Sequence, residues 1–420
     1  MQHLKQFILR HFASKIPTLL QRPLWQSLIT CRRLLWKLRN FIPGVLLRRL
    51  PGSSLQLGPP RHIAVTVEEA TGLATCIEAF PAGQAPPIQP PQNHIRPDGK
   101  SLIDSLLTHR DYEAAKIAIL EQARVYGPNG AVISSSDQLI AELSMEMARA
   151  FSPETLSNHS IYSQWRLPPP TQLRGLTVSL LALSVSNYYH WMLFALPKLA
   201  LLPALALDPA SVDHWLIPAS PARFHLETLR MLGISPEKCV PTSPRGHFQA
   251  HQLVVSSPSL IKRGIPPWLS AFMRDFARTH RTPTSPVASR RLYISRQDAS
   301  YRRVLNEEAL QSRLHARGFQ TVQADSFSVA QQMALFAEAD LIVAVHGAAL
   351  ANLAFCRPGT ALIELFAGAY VNNCYAVYAT QTGLRYGAVI DQTTEAQGNL
   401  AANLQVDLAT LDQVLDQFDA

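Results

Sequence analysis

Leu341–Val345 (LIVAV) is an unbroken apolar run that ends on His346-Gly347, with the small residues Ala348, Ala349 and Ala351 close behind. A short segment that is apolar on both sides of its pleat suits a strand covered on both faces, as in a parallel sheet. The flanking sequence alternates as such a sheet requires. Strand-like pieces at Arg291–Ser295, Phe319–Gln323, Ala361–Phe366 and Tyr386–Ile390 are interleaved with helical ones at Asn306–Ala316, Val329–Ala339, from about Ala348, and at Val371–Thr380. Ser328 and Gln331 stand at the spacing of a capping box, in which each side chain satisfies the other residue's orphan backbone N–H. Residues 281–420 are therefore predicted to form a doubly wound α/β domain, ending in an amphipathic helix on Leu404, Leu408, Leu411, Leu415 and Phe418. Ligands of such domains lie beyond the C-terminal ends of the strands.

The same alternation, less regular, runs upstream. Ala123–Ser136 reads as strand, Pro-Asn-Gly turn, strand, and Leu176–Val185 as a long apolar strand. Helix follows at Tyr189–Leu202, strand at His214–Pro218, helix at Phe224–Leu232 and strand at Leu253–Ser256, so residues 99–280 are expected to form a second α/β domain with a parallel sheet covered on both faces. A break at Arg281–Pro286 separates the two domains. Phe80–Pro97 is too rich in proline for regular structure, and residues 68–98 are read as a linker region.

Charge divides the chain. Eleven of its 38 basic residues lie in residues 1–67, where no acid occurs, so the remaining 27 face 30 acidic residues. The body therefore gives no polyanion signal, and no nucleic-acid partner is expected. The arm reads as short helices broken by Pro17, Pro23 and Pro43. Leu24, Leu28, Cys31, Leu35, Leu38 and Ile42 make an apolar stripe, with Arg33 and Lys37 facing away. An anionic membrane surface suits such a helix, each cation near the headgroups adding about 1 kcal/mol; docking on the protein's own body is the other reading. Five scattered cysteines without a C-x-x-C pair suggest neither a disulfide framework nor a zinc site. With no apolar run of 18 residues and no signal-peptide pattern, a cytoplasmic protein, peripheral at most to the inner face of a membrane, is expected.

Three segments carry chemistry. At the first, His346, Gly347 and Ala348 end a strand where a helix begins, and exposed N–H groups with the helix dipole favour an anion. A tight strand-to-helix turn needing Gly347 only for packing is the plainer reading. The motif is neither G-x-G-x-x-G nor a Walker loop, so NAD and ATP-hydrolysis readings gain nothing. In the second segment Arg296 follows a strand and Arg302 and Arg303 precede a helix, so three guanidinium groups can converge on a diphosphate; solvated surface charge is the alternative. Glu364 sits in the apolar strand ALIELF, where a carboxylate needs a partner: ribose hydroxyls or a buried arginine. In the third, SNYYHWMLFALPKL, Asn187, Tyr189, His190 and Trp191 fall at a C-terminal strand end facing the second domain. His190 is the candidate base for an acceptor hydroxyl, against an ordinary packing histidine.

Taken in order, NYYHW with LPKL, LYISR with RRVLNE, Gly318-Phe319, SVAQQMALFAEAD, VHGAALAN and IEL resemble glycosyltransferase family 61, which includes bacterial capsular-polysaccharide enzymes and plant xylosyl- and arabinosyltransferases. The pieces run from about Ala123 to Phe366, so the first 100 residues lie outside the resemblance. It implies a GT-B-like fold of two Rossmann-like doubly wound domains facing a cleft, here with the basic arm added. It also implies a nucleotide-sugar donor, often a UDP-sugar, a glycan acceptor, inversion by single displacement, and no obligatory metal or other cofactor. Carried onto this sequence, the donor site is Arg296, Arg302, His346, Gly347, Ala348, Asn352 and Glu364. One departure stands out: members carry Asp or Glu four residues after the histidine of NYYHW, where this chain has Phe194. A glycosyltransferase of capsule or cell-surface glycans is the expected function, and a catalytically silent glycan- or nucleotide-binding scaffold is the alternative that Phe194 favours.

Overall fold

The computed structural model describes residues 58–85, 111–144, 159–164, 166–257, 265–368, 370–391 and 401–419. The basic helices expected in residues 1–57 and the proline cluster at 86–97 lie outside them. Among the described residues no helix is long and apolar enough to cross a membrane.

Seventeen strands are described. The first ten-stranded sheet uses β1 (His62–Ala64), β2 (Leu73–Phe80), β5 (Ala115–Glu121), β6 (Arg124–Tyr126), β7 (Ala131–Ile133), β8 (Gln138–Ile140), β9 (Thr171–Ser179), β10 (His214–Ile217), β11 (Cys239–Pro241) and β12 (His247–Ser256), while β3 (Gly83–Gln84) and β4 (Asp111–Tyr112) pair separately. Strand β12 runs parallel to β9, which continues in parallel to β10 and β11. Its other edge pairs antiparallel with β5 and β6. The parallel, doubly wound sheet expected for the first domain is therefore incorrect for half of this sheet, which is antiparallel, while the strand–turn–strand expected at Ala123–Ser136 is the β6–β7 hairpin. Local turns explain it. β5 and β6 lie end to end along β12, with Gln122 in left-handed backbone (φ 53°) between them, while Gly130 (φ 72°, in the Pro-Asn-Gly turn) and Asp137 (φ 67°) sit in the β6–β7 and β7–β8 hairpins, which are too short for a helical crossover. Strand β2 also shows that the region read as linker contributes to the sheet.

The second sheet contains β13 (Arg291–Ile294), β14 (Gln320–Val322), β15 (Leu341–Val345), β16 (Ala361–Ala367) and β17 (Arg385–Asp391), all parallel, in the order β14-β13-β15-β16-β17. A doubly wound sheet is expected for residues 281–420; the order found is 2-1-3-4-5, reversing direction between β13 and β15. Every residue of β15 and β16 is buried, and alternate side chains go to opposite faces. Tyr293, Val343, Val345, Ile363 and Leu365 pack with α3 (Glu307–Ala316) and α6 (Leu408–Asp419) through Leu310, Leu314, Leu411, Val414 and Leu415. Leu292, Ile294, Ile342, Ala344, Leu362 and Phe366 face the other way, onto α4 (Val329–Glu338), α5 (Cys374–Gln381) and the 3₁₀ helix Ala348–Phe355.

That second face does not end at a cleft. Its core continues through α2 (Pro267–His280) and the helical segment Tyr188–Leu205 into Ile117, Val178, Trp215, Ile217 and Val254 of the first sheet, with α1 (Arg223–Met231) at its margin. The two sheets therefore share one apolar layer. Segment 188–205 changes pitch along its length, from one α-turn at Tyr188–His190 to a π-helix at Trp191–Ala195 and a 3₁₀ helix at Leu196–Leu205. Pro197 and Pro203 lack the N–H that an α-helix would use and crowd the preceding turn, so the regular ladder cannot continue through them.

Candidate functional site

A cavity of about 450 Å³ opens at the C-terminal ends of β13, β14 and β15, where the sheet order reverses. Ser295–Arg296, Gln323–Asp325 and Gly347–Ala349 form its floor, and Tyr188 with Ala222–Phe224 and Glu227 forms its roof. Two contacts tie roof to floor: the Arg223 guanidinium donates to the Phe327 carbonyl, and the Val329 N–H donates to the Glu227 carboxylate at 2.7 Å. The volume is in the range of small-ligand pockets.

The turn after β15 is built around Arg296. Gly347 is extended (φ −176°), a conformation open to any residue, and a Cβ there would fall on the Arg296 guanidinium and displace it. The helix that begins at Ala348 points its first N–H groups, which have no intrahelical partner, towards the same place. Arg296 donates to the Tyr301 carbonyl at 3.2 Å, and its Nε has no hydrogen-bond partner among the described residues. Burial, reinforced by Arg302, holds its pKa below the usual arginine value, so a dianion here would relieve both effects.

Arg302 occupies left-handed backbone (φ 55°), which an unbranched L-residue adopts only at a cost. That conformation sends its guanidinium to the His346 carbonyl at 3.0 Å, between the rings of Tyr301 and Tyr370 at 4.9 and 5.3 Å. Arg303 does not join them: its side chain is exposed and its backbone N–H donates to Asn403 at 2.9 Å. Two of the three arginines therefore converge.

Glu364 is fully enclosed. His346 Nδ1 lies 2.5 Å from one carboxylate oxygen, and the Tyr386 hydroxyl donates to the other at 2.7 Å. A carboxylate only accepts, so Nδ1 of His346 carries the proton, and the imidazole is held against Phe366 and Tyr375. Held on both oxygens, fully enclosed and not lining the cavity, Glu364 orients His346 and does not face a ribose there. Asn352 is also enclosed: its carbonyl accepts from the Tyr188 hydroxyl at 2.5 Å and its amide donates to Gln332 at 2.8 Å, pinning segment 188–205 to the second sheet.

Around His190 the structure separates the sequence-derived candidates. Asn187 caps the segment by accepting from the Tyr189 N–H at 2.9 Å. Trp191 is a core residue, wholly buried and donating to Thr228 at 2.9 Å. Tyr189 packs edge-on against Tyr375, which in turn meets His346, and the Tyr375 hydroxyl donates to the Gly347 carbonyl at 2.8 Å. His190 is half-buried, stacked on Phe194 at 5.2 Å, with its pKa lowered by burial and its Nδ1 without a partner among the described residues. It lies beside Tyr189 and does not line the cavity.

Sequence reasoning missed Tyr370, Tyr375 and the Arg223–Glu227 roof, whose partners are distant in the chain, as well as Tyr301 beside the arginines and Asp298 and Asp325 on the cavity rim. Only Tyr301 carried a local signal, being next to Arg302. Residues 188–363 match the family model described as Glycosyltransferase 61. Over 97 residues, 22% of this chain, the sequence is 34% identical to the EGF domain-specific O-linked N-acetylglucosamine transferase of Drosophila melanogaster, of whose length it covers 18%.

Proposed function

We propose, from the premise that residues 188–363 are a glycosyltransferase family 61 segment, that this chain moves a sugar from a nucleotide donor to a glycan acceptor. The observation that carries the reading is the convergence of Arg296, Arg302 and the Gly347–Ala348 turn at the reversal point of a doubly wound sheet. Two guanidinium groups and a helix N-terminus suit a diphosphate, whose charge grows as it departs. In the proposed single displacement, the acceptor hydroxyl loses its proton to a base and its oxygen attacks the anomeric carbon from the face opposite the diphosphate, inverting that carbon. The C–O bond to the diphosphate breaks with the electron pair going to oxygen, where Arg296 and Arg302 meet it. His190 is the proposed base, at the end of the α-turn Tyr188–His190, with Tyr189 connecting it to the ring cluster at His346. A UDP-sugar is the proposed donor, with neutralisation by arginine in place of a resident metal. Capsule or cell-surface polysaccharide synthesis at a membrane, reached through the basic arm, is the proposed setting.

Phe194 supports a second reading, binding without transfer. It packs against both His190 and Tyr189, at the position where the family resemblance implies an acid. Incubation with UDP- and GDP-sugars, with and without glycan acceptors, separates the two: transfer predicts release of nucleoside diphosphate matched by a glycosylated product. Nucleotide binding without release for any donor would establish the scaffold.

A further inference from the structure

A nucleotide needs more than a diphosphate site. Its ribose presents two adjacent hydroxyls, which an ionised carboxylate can accept together. Glu364 is enclosed in the core and does not line the cavity, whose carboxylates are Glu227, Asp298 and Asp325. Glu227 is engaged by Arg223 at 2.9 Å and by the Val329 N–H. Asp298 sits on the turn closed by the Ala299 N–H on the Arg296 carbonyl, at the end where the phosphates bind and a second anion is unwelcome. Asp325 is exposed to the cavity, and its carboxylate has no partner among the described residues.

Its place in the fold is the stronger argument. β14 is the strand beside β13, on the side away from β15, with Ile294 opposite Val322 and the Ser295 N–H donating to the Val322 carbonyl. Asp325 follows the end of β14, and neighbouring strands lie about 4.8 Å apart, so it stands one strand over from the Arg296 and Gly347 end. Ribose lies next to the phosphates along a nucleotide, at about that offset. In doubly wound sheets generally, ligands bind outside the carboxyl ends of the strands at the switch point, and in the dinucleotide-binding subset an acid near that point takes up a ribose hydroxyl. Gln323, Ala324 and Phe327, flanking Asp325, line the same cavity, and the base would extend along them.

We propose that Asp325 is the carboxylate that recognises the ribose of the donor nucleotide. This rests on the donor-site reading above. The test is calorimetric titration of the full chain with UDP and GDP and with their 2′-deoxy counterparts, repeated on Asp325→Asn and Asp298→Asn. The wild type is expected to bind the ribonucleotide at least about tenfold more tightly than the deoxy form, as expected for loss of one charge-assisted bond. Asp325→Asn should weaken ribonucleotide binding by a similar factor and erase the ribo/deoxy difference at an unchanged melting temperature, while Asp298→Asn should retain the difference. Tight ribonucleotide binding that Asp325→Asn leaves unaltered, or a preference erased by Asp298→Asn instead, overturns the assignment and leaves the donor-site reading standing. Failure of the wild type to bind any of the four overturns both.

Discussion

At the scale of single residues, Gly347 and Arg296 are fitted to each other. Gly347→Ala adds a methyl where the Arg296 guanidinium lies, in a backbone conformation that alanine tolerates. The expected result is a nearly unchanged fold with nucleotide affinity reduced by about tenfold, the equivalent of one displaced charge-assisted bond; affinity equal to wild type in a binding titration would contradict it. A pH effect is expected at His247, far from the site. Burial pushes its pKa down to about 4, outweighing its bond to the Pro168 carbonyl at 2.6 Å, and Arg124 adds to the depression. The unfolded chain takes up a proton here near pH 6.5, the folded chain only near pH 4, so stability falls as pH drops through that interval. Thermal melts between pH 7 and 4 should show the decline, shallower in His247→Gln than in the wild type.

At the scale of elements, the capping box at α4 isolates a local contribution. Ser328 accepts from the Gln331 N–H at 3.2 Å, and Gln331 accepts from the Ser328 N–H at 2.9 Å. Ser328→Ala should reduce stability by about 1 kcal/mol, measured by denaturant titration. This box, and the strands and helices of residues 281–420, were legible in sequence because buried parallel strands are apolar throughout and their crossover helices carry their own stop signals. The first sheet was not legible in the same way. β6, β7 and β8 are three residues each, and the pairing of β5 and β6 with β12 depends on residues more than 100 positions downstream. In the site, the Gly347 turn and two of the arginines could be read locally. The enclosure of Glu364 and Asn352 could not: their partners, Tyr386 and Tyr188, arrive only when the sheet and segment 188–205 assemble. The π and 3₁₀ pitch of that segment is written in Pro197 and Pro203, although the apolar pattern alone suggested an ordinary helix.

At the scale of the whole molecule, the shared apolar layer couples the two sheets. Trp191, Trp215, Met273, Phe336 and Phe366 belong to one buried cluster, so neither half completes its core alone. Calorimetry should show a single unfolding transition, and residues 281–420 expressed alone should expose the inner faces of α4 and α5 and aggregate. Two well-separated transitions would show instead that the halves are independent. In the proposed function, this coupled architecture presents a nucleoside diphosphate to Arg296 at the reversal point of the second sheet. Titrating UDP and GDP into wild type and Arg296→Ala tests it most directly. The account predicts saturable binding of one of them to the wild type and affinity about tenfold to a hundredfold weaker in the variant at an unchanged melting temperature; equal affinity in both proteins, or binding of neither nucleotide to the folded wild type, would contradict it.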